Sequence, residues 1–303
     1  MIDATELPGP SRVIAVAAMI GSAACWGGAT VMTKAALEAF DPFILLLIQL
    51  VASVATLWVA VLLSSTPLLA WRSMLRAGST GVLEPGLAYA FGVPGLFFTT
   101  ASNASVIAAL EPMFILLGAW ILFRTRPTPI AIAAISTAVV GVMLVSLVDL
   151  ADLGSGSVLG DSLVLMGTGV AAFYVLASSR LAGTMSAILL AALQQSAGLA
   201  VVLVLTALAL AAGWQSLPGA VGLPMLTLAV VSGLIQYALA FSLYIVGLKG
   251  IPAGLAGMFL TTTPIFGVLG GIGFLGESLA FSQVLGMALV IVSLFALLRS
   301  KNR

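Results

Sequence analysis

The chain is built from long apolar runs, each close to the length that a helix needs to cross a lipid bilayer. A bilayer core of about 30 Å takes roughly 20 helical residues, and ten such runs follow one another. The sequence is 61% hydrophobic and only 7% charged, whereas a soluble domain carries roughly a quarter of charged residues. Backbone groups in lipid must hydrogen-bond within their own segment, so we predict an all-α membrane protein with ten transmembrane helices. The runs are Val13–Ala36, Phe43–Leu63, Thr80–Phe98, Ser102–Phe123, Thr128–Val148, Ser162–Ala182, Ser186–Ala212, Pro224–Leu248, Ile251–Leu275 and Ser278–Leu298.

The residue types also disfavour several classes of function. The net charge is +1 and no basic cluster carries aromatic residues, which argues against nucleic acid as a partner. The chain has no histidine, one cysteine and no paired aspartates within the runs. The chain therefore has few of the side chains that a metal site or acid–base catalysis requires. We expect that it is not an enzyme and that it binds no metal and no cofactor. Nothing suggests the charged rings or symmetric filter of a channel.

The positive charges predict how the chain is oriented in the membrane. Asp3 and Glu6 precede Arg12, and a secretory signal would begin with basic residues, so the first run is expected to be a retained span. With the N-terminus inside, ten of the eleven cations fall on the cytoplasmic side, where Lys and Arg collect. Only Lys34 lies towards an outer end, and we predict that both termini are cytoplasmic. The ten are Arg12, Arg72, Arg76, Arg124, Arg126, Arg180, Lys249, Arg299, Lys301 and Arg303.

A weak internal repeat divides the chain into two halves. Residues 104–118 align with residues 256–270 at an offset of 152, so that Pro112 matches Pro264. Five spans per half would make the second half enter from the opposite side, which predicts an inverted repeat with a central cavity between halves. We expect the halves to be 1–149 and 150–303, and we hypothesise that the two prolines are paired bend points for alternating access.

Several short motifs resemble those of one transporter family. They are Cys-Trp-Gly-Gly at 25–28, Glu-Pro-Met-Phe at 111–114, Thr-Pro-Ile-Phe at 263–266 and Leu-Gly-Glu at 275–277. In this order and spacing they resemble the EamA branch of the drug/metabolite transporter superfamily. The likeness extends over the whole chain and is greatest to bacterial exporters of aromatic amino acids, the YddG type. One departure is Phe-Arg-Thr at 123–125, where the first half usually ends in Leu-Gly-Glu.

The resemblance implies a basket of helices around a central cavity in a multi-pass protein of the bacterial inner membrane. It implies a transporter that exports aromatic and other neutral amino acids by alternating access. The expected partners are a small-molecule substrate and the lipid bilayer, with the chain acting as a monomer or a weak homodimer. The alternative is an exporter of drugs or lipophilic organic cations.

Two polar residues of the fourth run are candidates for binding substrate. Glu111 lies ten residues into the run, and Asn103 lies two helical turns before it on the same face. A carboxylate at bilayer depth is either protonated or costs several kcal/mol. Glu111 is therefore either a substrate-ammonium or proton site, or a neutral carboxyl bonded to a neighbouring helix. Glu84 lies near the start of the third run, where its charge could reach the interface.

A second set of candidates lies on the first run. Trp26, Thr30 and Lys34 are spaced by four residues and form one stripe. Lys34 could attract a substrate carboxylate near the outer mouth, or it could simply extend its ammonium to the interface.

Tyr237, Phe241 and Tyr244 form an aromatic stripe on the eighth run, next to Gln236. Such a stripe either faces a cavity suited to aromatic side chains or packs between helices. Thr262 precedes the proline-containing turn of the ninth run. Its hydroxyl could bind substrate, or it could hydrogen-bond to a backbone carbonyl that Pro264 leaves without a partner. The remaining candidates are Tyr89, Tyr174 and Thr262.

Overall fold

The computed structural model of the chain describes residues 10–64, 66–108, 110–123, 128–150, 157–178, 181, 184–251, 259 and 262–300. These residues form helices and connections, and none of them lies in a β-strand. The helices are α1 (Arg12–Ala36), α2 (Pro42–Leu63), α3 (Trp71–Ser79), α4 (Ala88–Phe98), α5 (Ala101–Ala108), α6 (Glu111–Phe123), α7 (Pro129–Leu150), α8 (Ser157–Ser178), α9 (Ala187–Ala211), α10 (Leu223–Gly233), α11 (Ala240–Gly250), α12 (Thr263–Leu275) and α13 (Phe281–Ser300).

Each predicted apolar run overlaps a helix in the described part of the chain. Among those residues, six helical segments are long and apolar enough to cross a membrane, and the remaining apolar helices are shorter or only partly described. The all-helical prediction is confirmed there, while the count of ten spans stays a prediction. The six are Arg12–Ala36, Pro42–Leu63, Trp71–Phe98, Val158–Ser178, Ala187–Ala211 and Leu223–Gly250.

Some predicted features lie outside the described residues. They include the start of the ninth run, apart from residues 251 and 259, and five of the predicted cytoplasmic cations. These cations are Arg124, Arg126, Arg180, Lys301 and Arg303.

The helix ends follow the local sequence. Ser11 Oγ accepts a first-turn N–H of α1 at 3.4 Å, and Ser186 Oγ does the same for α9 at 3.2 Å. Pro42 is the first residue of α2, where a missing N–H leaves no intrahelical hydrogen bond unmade. Gly276 ends α12 with a φ of 68°, a left-handed conformation that glycine adopts freely. Serine and proline residues therefore determine where these helices begin, and Gly276 determines where α12 ends.

The third predicted run differs most from the structure. Its helix begins at Trp71, nine residues before the predicted start at Thr80. Between α3 and α4 the chain passes through a short 3₁₀ segment and the π-helical turn Leu83–Leu87, within which Glu84 has extended backbone angles (φ −144°, ψ 124°). Glu84 is therefore well inside this segment and 7% exposed, rather than near its start and the interface as expected.

The two repeat-related prolines start helices. Glu111 and Pro112 are the first residues of α6, which follows a break after α5, and Thr263 and Pro264 are the first residues of α12. A proline in the first turn has no hydrogen bond to lose, unlike one in a helix interior. The prolines are thus placed where each run is interrupted, and their role as hinges stays a prediction.

The helix bounds recur at the offset that the sequence predicts. Helix α3 begins at Trp71 and α10 begins 152 residues later at Leu223, and the same offset relates α6 to α12. The π-helical turn Leu83–Leu87 has its counterpart in Leu234–Leu239, between α10 and α11. These features support a two-repeat architecture, independently of the proline motifs from which the repeat was predicted.

A buried glutamine joins three helices in the first part of each half. Gln49 Nε2 on α2 donates to Thr33 Oγ1 on α1 at 2.9 Å and to Ser232 Oγ on α10 at 2.8 Å. Its own Oε1 is buried without a hydrogen-bond partner. Gln49 is 0% exposed, so these bonds form away from solvent.

The second half has an equivalent arrangement. Gln194 Nε2 on α9 donates to Thr80 Oγ1 at 2.8 Å and to Ser178 Oγ on α8 at 3.0 Å. Here the Oε1 is also used, because it accepts from the Tyr174 hydroxyl at 3.0 Å. Helices α8 and α9 begin 145 residues after α1 and α2, so the position equivalent to Tyr174 in the first half is Ala29. The first half therefore has no tyrosine hydroxyl to donate to the Gln49 Oε1. We call these two arrangements the glutamine clamps.

Glycines let the backbones approach closely at both clamps. A Cβ at Gly81 would lie 2.7 Å from Gln194 Cα and overlap the Gln194 carbonyl oxygen, and one at Gly233 would lie 2.6 Å from Gln49 O. Such close helix contacts between small residues are typical of membrane bundles. Gly81 and Gly233 are again 152 residues apart.

The helices of one half pack reciprocally on those of the other. Helix α1 contacts α10, α11 and α12, while α8 contacts α4, α5 and α6. Helix α2 packs on α9, and α7 packs on α13, so each of these pairs joins equivalent elements. This exchange is the pattern expected of two repeats related by a two-fold axis.

Candidate functional site

A cavity lies between the two halves of the bundle. The centre of a water molecule can reach about 140 Å³ of it, several times the roughly 10–15 Å³ that a cavity needs to hold one water. Its walls come from α1, α4, α5, α6, α8, α11 and α12 and from both π-helical turns. The interrupted helices therefore all contribute to it, which fits the rule that irregular backbone at membrane depth lines a cavity.

Among the residues that the structure describes, two carboxyl groups and no basic side chain line this cavity. One is Glu84 at the first π-helical turn, and the other is Glu111 at the first residue of α6. Neither carboxylate forms a hydrogen bond or ion pair within the described residues, and the two interact electrostatically. The cavity can therefore offer up to two negative charges to a ligand or to protons.

Aromatic side chains also form part of the cavity wall. Phe241 lies behind the wall, with its ring centroid 5.2 Å from that of Trp26 and 5.9 Å from that of Tyr174. Tyr244 contacts Trp26 at 5.5 Å between centroids. Edge-to-face and tilted pairs at these distances hold aromatic rings in fixed orientations. Trp26, Tyr89, Tyr174 and Tyr244 themselves line the cavity.

Some polar atoms of the lining have no hydrogen-bond partner among the described residues. They are Trp26 Nε1, Tyr244 Oη and Ser105 Oγ. A buried polar group without a partner costs roughly 1–3 kcal/mol, and water or a ligand in the cavity could satisfy it. These atoms are consequently available to a bound molecule.

Seven of the eleven predicted binding residues line the cavity. Thr30 is among them, although its hydroxyl bonds to the backbone of its own helix at 2.9 Å. Gln236 accepts from Thr33 Oγ1 at 3.1 Å. The structure thus brings together residues that the sequence places on five different runs, and their roles in binding stay predictions. The seven are Trp26, Thr30, Tyr89, Glu111, Tyr174, Gln236 and Tyr244.

Four predicted binding residues do not line the cavity. Lys34 Nζ donates to the carbonyl oxygens of Leu96 and Phe97 at 2.9 and 3.1 Å, so it caps the end of α4. Asn103 Oδ1 accepts from Gln283 Nε2 on α13 at 2.9 Å.

The other two of the four belong to the surrounding packing. Tyr237 is 0% exposed and packs edge-to-face against Tyr89, with 4.8 Å between the ring centroids. Thr262 Oγ1 donates to the Phe259 carbonyl oxygen at 2.7 Å, which is the local backbone bond considered from the sequence.

The sequence analysis did not select several residues of the lining. Glu84 was assigned to the interface, Thr263 was considered only for local repair of the helix backbone, and Thr33, Ser105 and Thr168 were not singled out. The repeat offset could have found two of them, because Glu84 is equivalent to Gln236 and Thr263 is equivalent to Glu111. The hydroxyl residues carry no comparable signal, since serine and threonine are common in packed membrane helices.

Within the described residues, no group of three or more Asp, Glu, His or Cys side chains is placed to hold a metal ion.

The comparisons with known proteins agree with this architecture. The model of the EamA-like transporter family matches residues 13–147 and again residues 158–299. The chain belongs to the EamA-like transporter family. It is therefore a multi-pass membrane transporter whose two family matches correspond to two repeats. The resemblance to the EamA branch is confirmed, whereas the likeness to aromatic-amino-acid exporters stays a prediction.

A solved structure supports the fold of this EamA-like transporter. It is described as "Crystal structure of protein", is 18% identical, and aligns with a TM-score of 0.66 over 95% of this chain and 99% of its own. At that identity the likeness concerns the fold alone. No curated protein matches the chain.

Proposed function

We propose that this transporter exports neutral amino acids, including aromatic ones, from the bacterial cytoplasm. The observation that carries the proposal is a cavity with aromatic walls, unpartnered hydroxyl and indole groups, and an acidic residue at the start of α6. Aromatic walls offer large apolar area and weakly polar edges to an aromatic side chain. Glu111 would contact the substrate ammonium group, and the unpartnered polar atoms would bond to its polar ends.

The transport cycle in this proposal is alternating access between two inverted halves, 1–149 and 150–303, each with five of ten spans. The reciprocal packing of α1 and α8 on the opposite half supports it, because two related halves can exchange roles when the cavity opens to the other side. Both termini would lie in the cytoplasm, and the chain would act in the inner membrane as a monomer or a weak homodimer.

Pro112 and Pro264 would be the paired hinges of this cycle. Each stands at the second residue of a short helix that follows a break, and such positions absorb changes of backbone angle in domain motions. Replacing either proline with alanine should slow exchange with little loss of stability, because the first turn lacks intrahelical bonds in any case. Normal exchange rates in both variants would remove the hinge role.

A second candidate is export of lipophilic organic cations. The observation that favours it is that the described residues of the cavity lining include no basic side chain, and that Lys34 donates to backbone carbonyl oxygens instead. A substrate with a positive charge and no carboxylate would need no cationic partner. Aromatic faces also attract cations.

Counterflow in liposomes separates these functions. The purified full-length protein would be reconstituted with unlabelled substrate inside and a panel of labelled amino acids outside, with and without a pH gradient. Uptake of neutral and aromatic amino acids is the expected result. Uptake of lipophilic cations with no amino acid in the panel would instead establish the second candidate, and empty liposomes are the control.

A further inference from the structure

The two repeats place different chemistry at equivalent positions of the cavity wall. Glu84 in the first half corresponds to Gln236 in the second, and Glu111 corresponds to Thr263, both at the offset of 152. All four residues line the same cavity. A scaffold with two related halves thus has an acidic side from the first repeat and a neutral, hydrogen-bonding side from the second.

The acidic side carries groups that the protein itself leaves unbonded. Glu84 is 7% exposed yet lines the cavity without a hydrogen bond or ion pair among the described residues. Ser105 is 2% exposed, lines the same cavity, and its hydroxyl has no partner there either. Buried polar groups in native proteins are nearly always bonded, so their convergence on one cavity points to a polar ligand.

The neutral side is oriented by one of the glutamine clamps. Gln49 Nε2 donates to Thr33 Oγ1, which in turn donates to Gln236 Oε1. Because the Gln236 oxygen accepts this bond, its amide NH₂ is the donor group; it also bonds to Tyr89, which leaves one of its two N–H groups for a ligand. Thr263, the first residue of α12, adds a hydroxyl at a helix N-terminus with no acidic residue in its first turn, where negative charge is favoured.

We propose that the cavity binds its substrate in one orientation, with the ammonium group between Glu84 and Glu111 and the carboxylate against Gln236 and Thr263. The carboxylate half of this inference rests on the proposed amino-acid substrate. The ammonium half, including the assignment of Glu84 as a binding residue, also holds for an amine without a carboxylate. The polarity follows from the charge difference between the repeats.

Three probes that differ only at the polar end test the orientation. They are phenylalanine, phenethylamine and 3-phenylpropionate, whose binding to the purified full-length protein in detergent is measured by calorimetry and by thermal stabilisation. Wild-type protein should bind the first two more tightly than 3-phenylpropionate. The variants E84Q and E111Q should each weaken phenethylamine binding about tenfold or more, since a charge-assisted bond is lost, with 3-phenylpropionate binding unchanged or tighter.

Matched variants separate binding from folding. The control is E38Q, which makes the same substitution at an exposed carboxylate outside the cavity and should leave all three affinities unchanged. Gln236→Leu should weaken phenylalanine but not phenethylamine. The double variant E84Q/Q236E moves the carboxyl group to the equivalent repeat position and should recover phenethylamine binding relative to E84Q alone.

Several results would overturn the inference. Unchanged phenethylamine affinity in both E84Q and E111Q would do so, as would wild-type protein that binds none of the probes. A change only in the pH dependence of counterflow would identify the carboxyl groups as proton sites instead. If phenethylamine binding requires Glu84 but no amino acid is exchanged in liposomes, the amino-acid export proposal fails while the ammonium site stands.

Discussion

The glutamine clamps allow a stability prediction in which one half of the protein is the control for the other. Gln194 makes three buried hydrogen bonds to other segments, whereas Gln49 makes two and leaves its Oε1 without a partner. We predict that Gln194→Leu is clearly more destabilising than Gln49→Leu, although both remove a 0% exposed glutamine from an equivalent position.

The expected difference follows from the bonds that each glutamine makes. An interhelical hydrogen bond in a membrane protein contributes about 0.6 kcal/mol on average, so losing three costs about 2 kcal/mol and losing two costs about 1 kcal/mol. Gln194→Leu also leaves the buried Tyr174 hydroxyl without its acceptor. Gln49→Leu instead removes an unbonded oxygen, whose burial costs roughly 1–3 kcal/mol. The free energies of unfolding should therefore differ by about 2 kcal/mol, with Gln49→Leu close to wild type.

The assay is reversible unfolding of the purified protein in mixed detergent, followed by far-ultraviolet circular dichroism. Tyr174→Phe completes a double-mutant cycle with Gln194→Leu, because the hydroxyl has a partner in one background and not in the other. Tyr174→Phe should destabilise the wild type and be neutral or stabilising in the Gln194→Leu variant. Equal losses for the two leucine variants, or additive effects in the cycle, would refute the reasoning.

Three further predictions concern the same packing and can be measured by thermal unfolding and counterflow. Gly81→Ala and Gly233→Ala should each destabilise by about 1–3 kcal/mol through overpacking, whereas Gly273→Ala, which meets nothing within 4 Å, should not; tolerance at both clamp glycines would contradict this. Glu277→Ala should cost about 1 kcal/mol, because its carboxylate accepts two backbone N–H groups at the start of α5, and an unchanged melting temperature would count against that cap. Lys34→Met should lower stability while leaving substrate affinity unchanged, since the ammonium caps α4; weakened substrate affinity with unchanged stability would support the carboxylate-attracting role.

The repeat was the part of the fold that sequence could predict best. The offset of 152 came from one pair of proline-containing segments, and the bounds of the helices from Trp71 and Leu223 onwards follow it. Between α2 and α9 the offset is 145 instead, because α9 and the connection after it are longer than α2 and its connection. A search at one fixed offset therefore could not pair Gln49 with Gln194.

The depth of Glu84 could not be read from hydropathy. Trp71–Ser79 contains Arg72 and Arg76, so an apolar window begins only after it, and a carboxyl group near that edge is interpreted as interfacial. The structure continues the same segment through those charged residues, which moves Glu84 inward by about three turns. Helix continuity across a polar stretch depends on tertiary packing, here against α9.

The bonding partners of Lys34 were also beyond sequence reasoning. Its spacing from Trp26 and Thr30 correctly placed the three on one helix face, and two of them line the cavity. Whether the lysine reaches a substrate, the interface or a helix end depends on which segment lies beside it. The Lys34 ammonium donates to carbonyl oxygens in the last turn of α4. Its positive charge is favourable there, because the C-terminal end of a helix carries partial negative charge.

A comparison of equivalent positions separates residues that hold the helices together from residues that determine the charge and polarity of the cavity wall. The clamps and their glycines keep the same chemistry in both halves, with glutamine, hydroxyl and glycine repeated. Unequal pairs include Glu84 with Gln236, Glu111 with Thr263, and Tyr174 with Ala29, and all of these residues except the alanine line the cavity. Two halves with identical walls would bind a ligand equally well in two opposite orientations. Because these unequal residues converge on the cavity while the clamps bond helix to helix, the substrate orientation that we propose requires no change in the interactions that hold the two halves together.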